Sequence, residues 1–210
     1  RGIHPGKERR GMPSPIGRMK ELGFWGTVAM MARRIPGVRA LSVYNFYSLD
    51  KDDLAAAEAA SRDVLDDALR IEPGNTRIDD MVAVRDKREL FEQRVARGHF
   101  GLMAYVNGKP AAYCWSQSET NHHEELFGFE INVRPDEMYC YDIYILREFR
   151  GLGLLRHIAY ANLRHAINGF GKRATVAAIE INNGRSRRAN ERIGWRRADL
   201  WIYLEAWGGC

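Results

Sequence analysis

A strand-like run, Tyr139-Cys140-Tyr141-Asp142-Ile143-Tyr144-Ile145, and a helix-like run that begins at Leu154 are joined through Arg150-Gly151-Leu152-Gly153. A glycine-rich turn that opens a helix constrains both the backbone and its ligand. Glycine admits close approach, several N–H groups converge, and the helix dipole favours an anion there. The turn therefore predicts a phosphorylated cofactor. It is not a P-loop, because no Lys-Ser/Thr pair ends it, and it lacks the third glycine and following acidic residue of a dinucleotide fingerprint. Two glycines also suit any tight turn, so its meaning depends on the elements downstream.

There, Thr175 to Asn182 reads as another strand, and Asn183-Gly184-Arg185-Ser186 leads into a helix that stops at Gly194, before Trp195. Asn183 can cap the helix N-terminus, and Gly194 suits the left-handed residue past its end. This ordered set resembles the GCN5-related N-acetyltransferase (GNAT) superfamily. The family's R-x-x-G-x-G/A motif is met by Arg150 to Leu155, with Leu155 in place of the last Gly or Ala and Arg147 in place of the usual preceding proline. The second family element, N-x-x-A/S followed by a helix and K-L-G-F, is matched by Asn183, Ser186, Arg192, Ile193, Gly194 and Trp195. The resemblance extends from Gly98 to Leu204.

The resemblance implies an acyltransferase that moves an acetyl or short acyl group from coenzyme A to a primary amine of a small molecule or sugar. Cofactor binding then falls to Arg150, Gly151, Leu152, Gly153, Leu154 and Leu155 around the pyrophosphate, to backbone near Ile145 at the thioester, and to Asn183 and Ser186. The pantetheine arm would run between the strand ending at Leu146 and the strand Thr175 to Asn182. An ammonium ion is no nucleophile, so a base is needed, and Asp142 and Glu180 are the candidate catalytic carboxylates. Against that, Asp142 could serve buried structure and Glu180 a solvated face. Many relatives protonate the departing thiolate with a tyrosine where this chain has Asn190, which leaves Ser186, Tyr160 or solvent.

Leu155 puts a side chain where the family usually has none, and some relatives take acyl groups from an acyl carrier protein. Arg185, Arg187, Arg188 and Arg192 could meet a 3′-phosphate, an acidic carrier, or only water. Two further readings therefore stand beside the first: an N-acyl amino acid synthase fed by a long-chain acyl carrier protein, and a non-catalytic acyl-CoA-binding module.

Composition fits one compact unit with an extension: 210 residues, 45% hydrophobic and 28% charged. Residues 1–39 hold nine Lys or Arg against Glu8 and Glu21, a balance of +7, so with +5 overall the remainder carries −2. The basic character thus belongs to a segment rich in Gly and Pro up to Pro15. From Ile16 to Ile35 it is loosely amphipathic, a helix that would pack on the domain or on a second subunit as a homodimer contact, or lie peripherally on an anionic membrane surface. No interleaved aromatic surface accompanies the charge, so nucleic acid is not expected. Cys114, Cys140 and Cys210 have no metal or disulfide spacing and read as free thiols of a cytoplasmic protein. No metal is expected at Asn121-His122-His123-Glu124-Glu125, whose adjacent histidines read as facing solvent.

Along the rest of the chain, Leu41 to Leu49 reads as a strand, Asp50 as the cap of a helix from Lys51 to Ile71, Thr76 to Asp79 as a short strand, and Arg85 to Ala96 as a helix closed by Gly98. His99 to Val106 and Pro110 to Ser118 flank the hairpin signal Asn107-Gly108. The polar loop Glu119 to Leu126, a strand from Phe127 to Val133 and the strand Met138 to Leu146 complete an antiparallel meander. A helix from Leu154 to Asn168 stops at Gly169. The expected fold class is α/β: a mixed, mostly antiparallel twisted sheet with helices on both faces, residues 40–210 forming an N-acyltransferase domain behind the basic extension 1–39.

Overall fold

Seven strands form one sheet in the order β2-β3-β4-β7-β8-β1-β9, where β1 is Val38–Asp50, β2 Leu69–Pro73, β3 Phe100–Val106, β4 Lys109–Gln117, β7 Glu137–Ile145, β8 Ala174–Glu180 and β9 Arg196–Ala206. Every adjacent pair is antiparallel except β7 with β8. Two further short strands, β5 (Asn121–His123) and β6 (Glu130–Asn132), pair with each other in a separate ribbon. The computed structural model describes residues 38–54, 68–123 and 130–206. The basic segment 1–37, its amphipathic stretch and Cys210 lie outside them.

The strands alternate their side chains between two helical layers, as the period of a strand requires. On one face Tyr47, Leu49, Leu102, Ala104, Cys114 and Cys140 meet Leu154, Ile158, Ala159 and Leu163 of a long helix. That helix, α3 (Leu154–Phe170), repeats apolar residues at helical spacing and ends where Gly171 turns left-handed at φ 63. On the other face Met103, Tyr105, Tyr113 and Trp115 meet Met81, Val84 and Phe91 from α1 (Ile78–Val84) and α2 (Arg88–Ala96). The hairpin between β3 and β4 turns through Asn107 and Gly108, both with positive φ, as a type I′ turn demands. The fold class read from the sequence is the one observed. Among the described residues no helix is long and apolar enough to cross a membrane.

Several boundaries differ. The helix expected to reach Ile71 gives way to β2, because Leu69 to Pro73 complete the sheet edge against β3. Its beginning is as expected: residues 51–54 are helical and Asp50 Oδ1 accepts the Asp52 N–H at 3.0 Å. The remainder, residues 55–67, lies outside the described residues. Thr76 to Asp79 is not a strand but the approach to α1, whose Ile78, Met81 and Val84 recur at helical spacing with Asp79 and Asp80 in the first turn. Of the strand expected from Phe127 to Val133, residues 127–129 lie outside the described residues, and Glu130–Asn132 join β5 within the supposed polar loop instead of the main sheet. Gly169 lies within the last turn of α3, and the stop falls at Gly171. The closing strand β9, unforeseen, covers the outer edge of β1.

Leu163 is fully buried between α3 and the sheet. Leu163→Ala should therefore lower the unfolding free energy by about 2–5 kcal/mol in a urea titration, with the m-value unchanged.

Candidate functional site

The local sequence of β7 breaks its own ladder. Tyr113 pairs with Tyr144 and Trp115 with Tyr141, so Asp142 and Ile143 together face Cys114, and Asp142 takes φ 45. Such a bulge bends a strand and increases its twist. The strained residue is held by charge: Arg94 Nη1 lies 2.6 Å from one Asp142 oxygen and Arg85 Nη1 3.4 Å from the other, which also accepts from the Tyr113 hydroxyl at 3.3 Å. Arg94 is buried, with its guanidinium over the rings of Tyr141 and Trp115. Burial and the Asp142 charge push the Tyr113 phenol well above its ordinary range, so it stays a neutral donor.

Before it reaches the bulge, β7 leaves its parallel neighbour. Only Glu137 to Tyr139 pair with Ala174 to Val176, and past them a cleft of about 480 Å³ opens between the strands. Leu146 donates its N–H to Ala111 on the β4 side at 2.9 Å. Along an extended strand the neighbouring N–H points the opposite way, so that of Ile145 faces the cleft. Its carbonyl accepts from Arg150 Nε at 3.0 Å, which ties the strand end to the glycine turn.

At the open end, Gly151 and Gly153 adopt φ 86 and 81, conformations that L side chains rarely take. An added Cβ would meet no atom within 4 Å at Gly151, so backbone conformation and not space calls for glycine there. The N–H groups from Gly151 to Leu155 find no acceptor among the described residues, and they stand at the N-terminus of α3. A second helix, α4 (Gly184–Arg192), starts at the same cleft, where Asn183 Oδ1 accepts the Ser186 N–H at 3.1 Å. Two helix N-termini and a fan of donors make the mouth suited to a phosphate chain.

The sequence-chosen residues gather here. Asp142, Ile145, Arg150, Leu155, Glu180, Asn183 and Ser186 all line the one cleft. Leu152 is exposed at the rim, and the Leu154 side chain is buried in the core, which leaves its backbone to the turn. Leu155 forms part of the wall. Asn190 is buried and donates to the Ser186 carbonyl at 2.9 Å and to its hydroxyl at 3.3 Å. Tyr160 donates to the Ile193 carbonyl at 2.8 Å, so its hydroxyl is occupied in packing α3 against the end of α4. Cys114 and Cys140 face each other at 3.4 Å behind the cleft, and their mutual hydrogen bond with burial pushes the Cys114 thiol up.

Three residues have places that the sequence reading did not give them. His122 is buried instead of facing solvent, packed against the rings of Tyr139 and Tyr141, with Nδ1 3.0 Å from Gln117 Oε1. Arg94, which carried no sequence signal beyond its place in a helix, is the buried partner of Asp142. His99, read only as the start of a strand, is hydrogen-bonded through Nδ1 to the Tyr141 hydroxyl.

A model of the acetyltransferase (GNAT) family matches residues 63–195. No curated protein matches the chain. Among solved structures it is similar to a functionally unknown conserved protein from Staphylococcus epidermidis, with TM-score 0.55 and 16% identity over 84% of this chain and 66% of that one. It is likewise similar to a tandem GNAT protein from the clavulanic acid biosynthesis pathway, with TM-score 0.54 and 16% identity over 87% of this chain and 59% of that one. An aminoglycoside N-acetyltransferase in complex with CoA gives TM-score 0.50 and 16% identity, covering 67% of this chain and 99% of that one. The chain thus spans about three fifths to two thirds of the length of the first two. At these identities the likeness establishes the fold.

Breaking the clamp on the bulge should cost more than a surface ion pair. Arg94→Leu leaves the Asp142 carboxylate without its nearest partner and is expected to lower stability by about 3–5 kcal/mol in chemical denaturation. Adding Asp142→Asn to Arg94→Leu should recover much of that loss, because the charge that remains, on Arg85, is 39% exposed and reaches water.

Proposed function

The chain belongs to the GNAT acetyltransferase family, and on that premise we propose that it transfers an acetyl or short acyl group from coenzyme A to a primary amine of a small molecule or sugar. The observation that carries the reading is the parting of β7 from β8 beside a turn whose backbone N–H groups have no acceptor among the described residues. A thioester on a long pantetheine arm with a pyrophosphate at its far end matches that shape: a narrow slot closed by a cradle of donors.

In this reading the N–H groups from Gly151 to Leu155 bind the pyrophosphate, and those of β7 and β8 that face the cleft bind the arm in the manner of an added strand. The Ile145 N–H polarises the thioester carbonyl, fixed before the reaction and thus at no reorganisation cost. Leu155 supplies a backbone donor and an apolar wall, so its side chain is compatible with the role. Glu180, half-buried on the cleft wall, draws in the ammonium form of the acceptor. Asp142 is proposed to act on the strand and not on the substrate, since Arg94, Arg85 and Tyr113 already engage both its oxygens. When the C–S bond breaks, the Ser186 hydroxyl, held by Asn190 on the cleft wall, is proposed to pass the second proton of the acceptor nitrogen to the thiolate. Holding the reactants in line supplies a large part of the rate.

Calorimetry with coenzyme A on the parent protein and on Gly153→Asp tests the cradle. The parent should bind, and the variant should lose binding, because an acidic side chain in a left-handed turn both repels phosphate and strains the loop. Turnover of acetyl-CoA against a panel of primary amines, run beside a long-chain acyl carrier protein as donor, identifies the donor class. Absence of coenzyme A binding to the parent overturns the proposal.

A further inference from the structure

Resting on the acyl-transfer reading, we infer that Tyr141 and His99 form the relay that takes the proton from the acceptor amine. Tyr141 sits where β7 leaves β8; it is half-buried and lines the cleft. Its hydroxyl is hydrogen-bonded to Nδ1 of His99, a residue 7% exposed at the threshold of β3. The imidazole ring stands nearly perpendicular to the phenol, at an interplanar angle of 88°. The chain therefore presents, on the cleft wall, a weak acid coupled to the one side chain whose ordinary titration lies near neutrality.

The surroundings fit an imidazole that gains and loses charge. From α2, Arg94 places its guanidinium 4.9 Å from the Tyr141 ring centroid, and its carbonyl accepts the His99 N–H at 3.0 Å. From β7, Asp142 offsets the Arg94 charge at 2.6 Å, so an imidazolium at His99 does not face an isolated cation. From β5, His122 lies 6.5 Å away between ring centroids. From the loop after β2, Asn75 Nδ2 donates to the His99 carbonyl at 2.7 Å and fixes the backbone. Among the described residues β7 also brings Tyr139, stacked 6.0 Å from Tyr141.

The step balances. With the neutral imidazole protonated at Nε2, Nδ1 accepts the Tyr141 O–H. As the phenol proton moves to Nδ1, the phenolic oxygen takes a proton from the ammonium of the acceptor, directly or through one water. The free amine attacks the thioester carbon, the C–N bond forms and the C–S bond breaks. The second nitrogen proton neutralises the thiolate, and the imidazolium returns its own to water. Tyr141 is thus the catalytic residue and His99 the positioning residue that acts through it, while Glu180 supplies only attraction.

The relay is tested without knowing the acceptor. In protein labelled with 15N-histidine, long-range 1H–15N spectra assigned through His99→Asn should show His99 protonated at Nε2, with an accepting Nδ1 whose shift moves in Tyr141→Phe. A neutral form protonated at Nδ1, or an Nδ1 shift unmoved in Tyr141→Phe, overturns the relay whether or not coenzyme A binds. Loss of coenzyme A binding in calorimetry instead overturns the acyl-transfer reading and leaves the imidazole measurement standing. With an amine that turns over, Tyr141→Phe and His99→Asn should each lower kcat on the order of 100-fold, with the KM for acetyl-CoA unchanged and the acid limb of the pH profile displaced. The double variant should lose little more than either single one. A kcat within about threefold of the parent for Tyr141→Phe, which leaves the fold intact, overturns the proposal.

Discussion

The ion pair between Arg94 and Asp142 is the contact on which the arrangement of the cleft depends. A non-glycine residue at φ 45 persists only where its surroundings over-determine it, and here a buried guanidinium, a second arginine and a phenol do so. Because Arg94 comes from α2 and Asp142 from β7, the pair also locks the helical layer to the bulge. The bulge lies just past the last residue of β7 that pairs with β8, where the slot between the two parallel strands opens.

The glycine turn complements that slot. Arg150 bonds back to Ile145, so the end of β7 and the start of the turn move as one piece. Unsatisfied N–H groups are tolerated at the turn because it is exposed to water and because any helix leaves its first four donors unpaired. The same donors would be costly in the core, where Ser116 and Asn162 are bonded to each other at 2.8 Å across α3 and β4.

Chemistry and packing also share residues at the cleft wall. Tyr141 lies under the Arg94 guanidinium, against His122 and bonded to His99, so a single side chain connects α2, β3 and β5 to the point where the strands separate. Four elements contribute to that contact, and none carries a motif of its own. Such a group can be found only after the sheet is assembled.

What the sequence determined by itself is local: the Asn107-Gly108 turn, the two capped helices, the glycine turn and its order relative to Asn183 and Gly194-Trp195. These depend on dihedral preference and on hydrogen bonds within a few residues, and with the family resemblance they pick out Ile145, Arg150, Leu155, Asn183 and Ser186, which line a single cleft. The sheet edges were not legible. Leu69 to Pro73 resembles the tail of a helix until β3 offers it a ladder, and β9 becomes a strand through its pairing with β1. The partners of Asp142 and Tyr141 were equally hidden, because Arg94 lies 48 residues and His99 42 residues away, and long-range pairing leaves no periodic trace in a single chain. Tertiary structure alone decided that Asp142 braces a strand, that His122 is buried and that His99 meets the cleft wall, since each outcome is set by which surfaces pack together once the core excludes water.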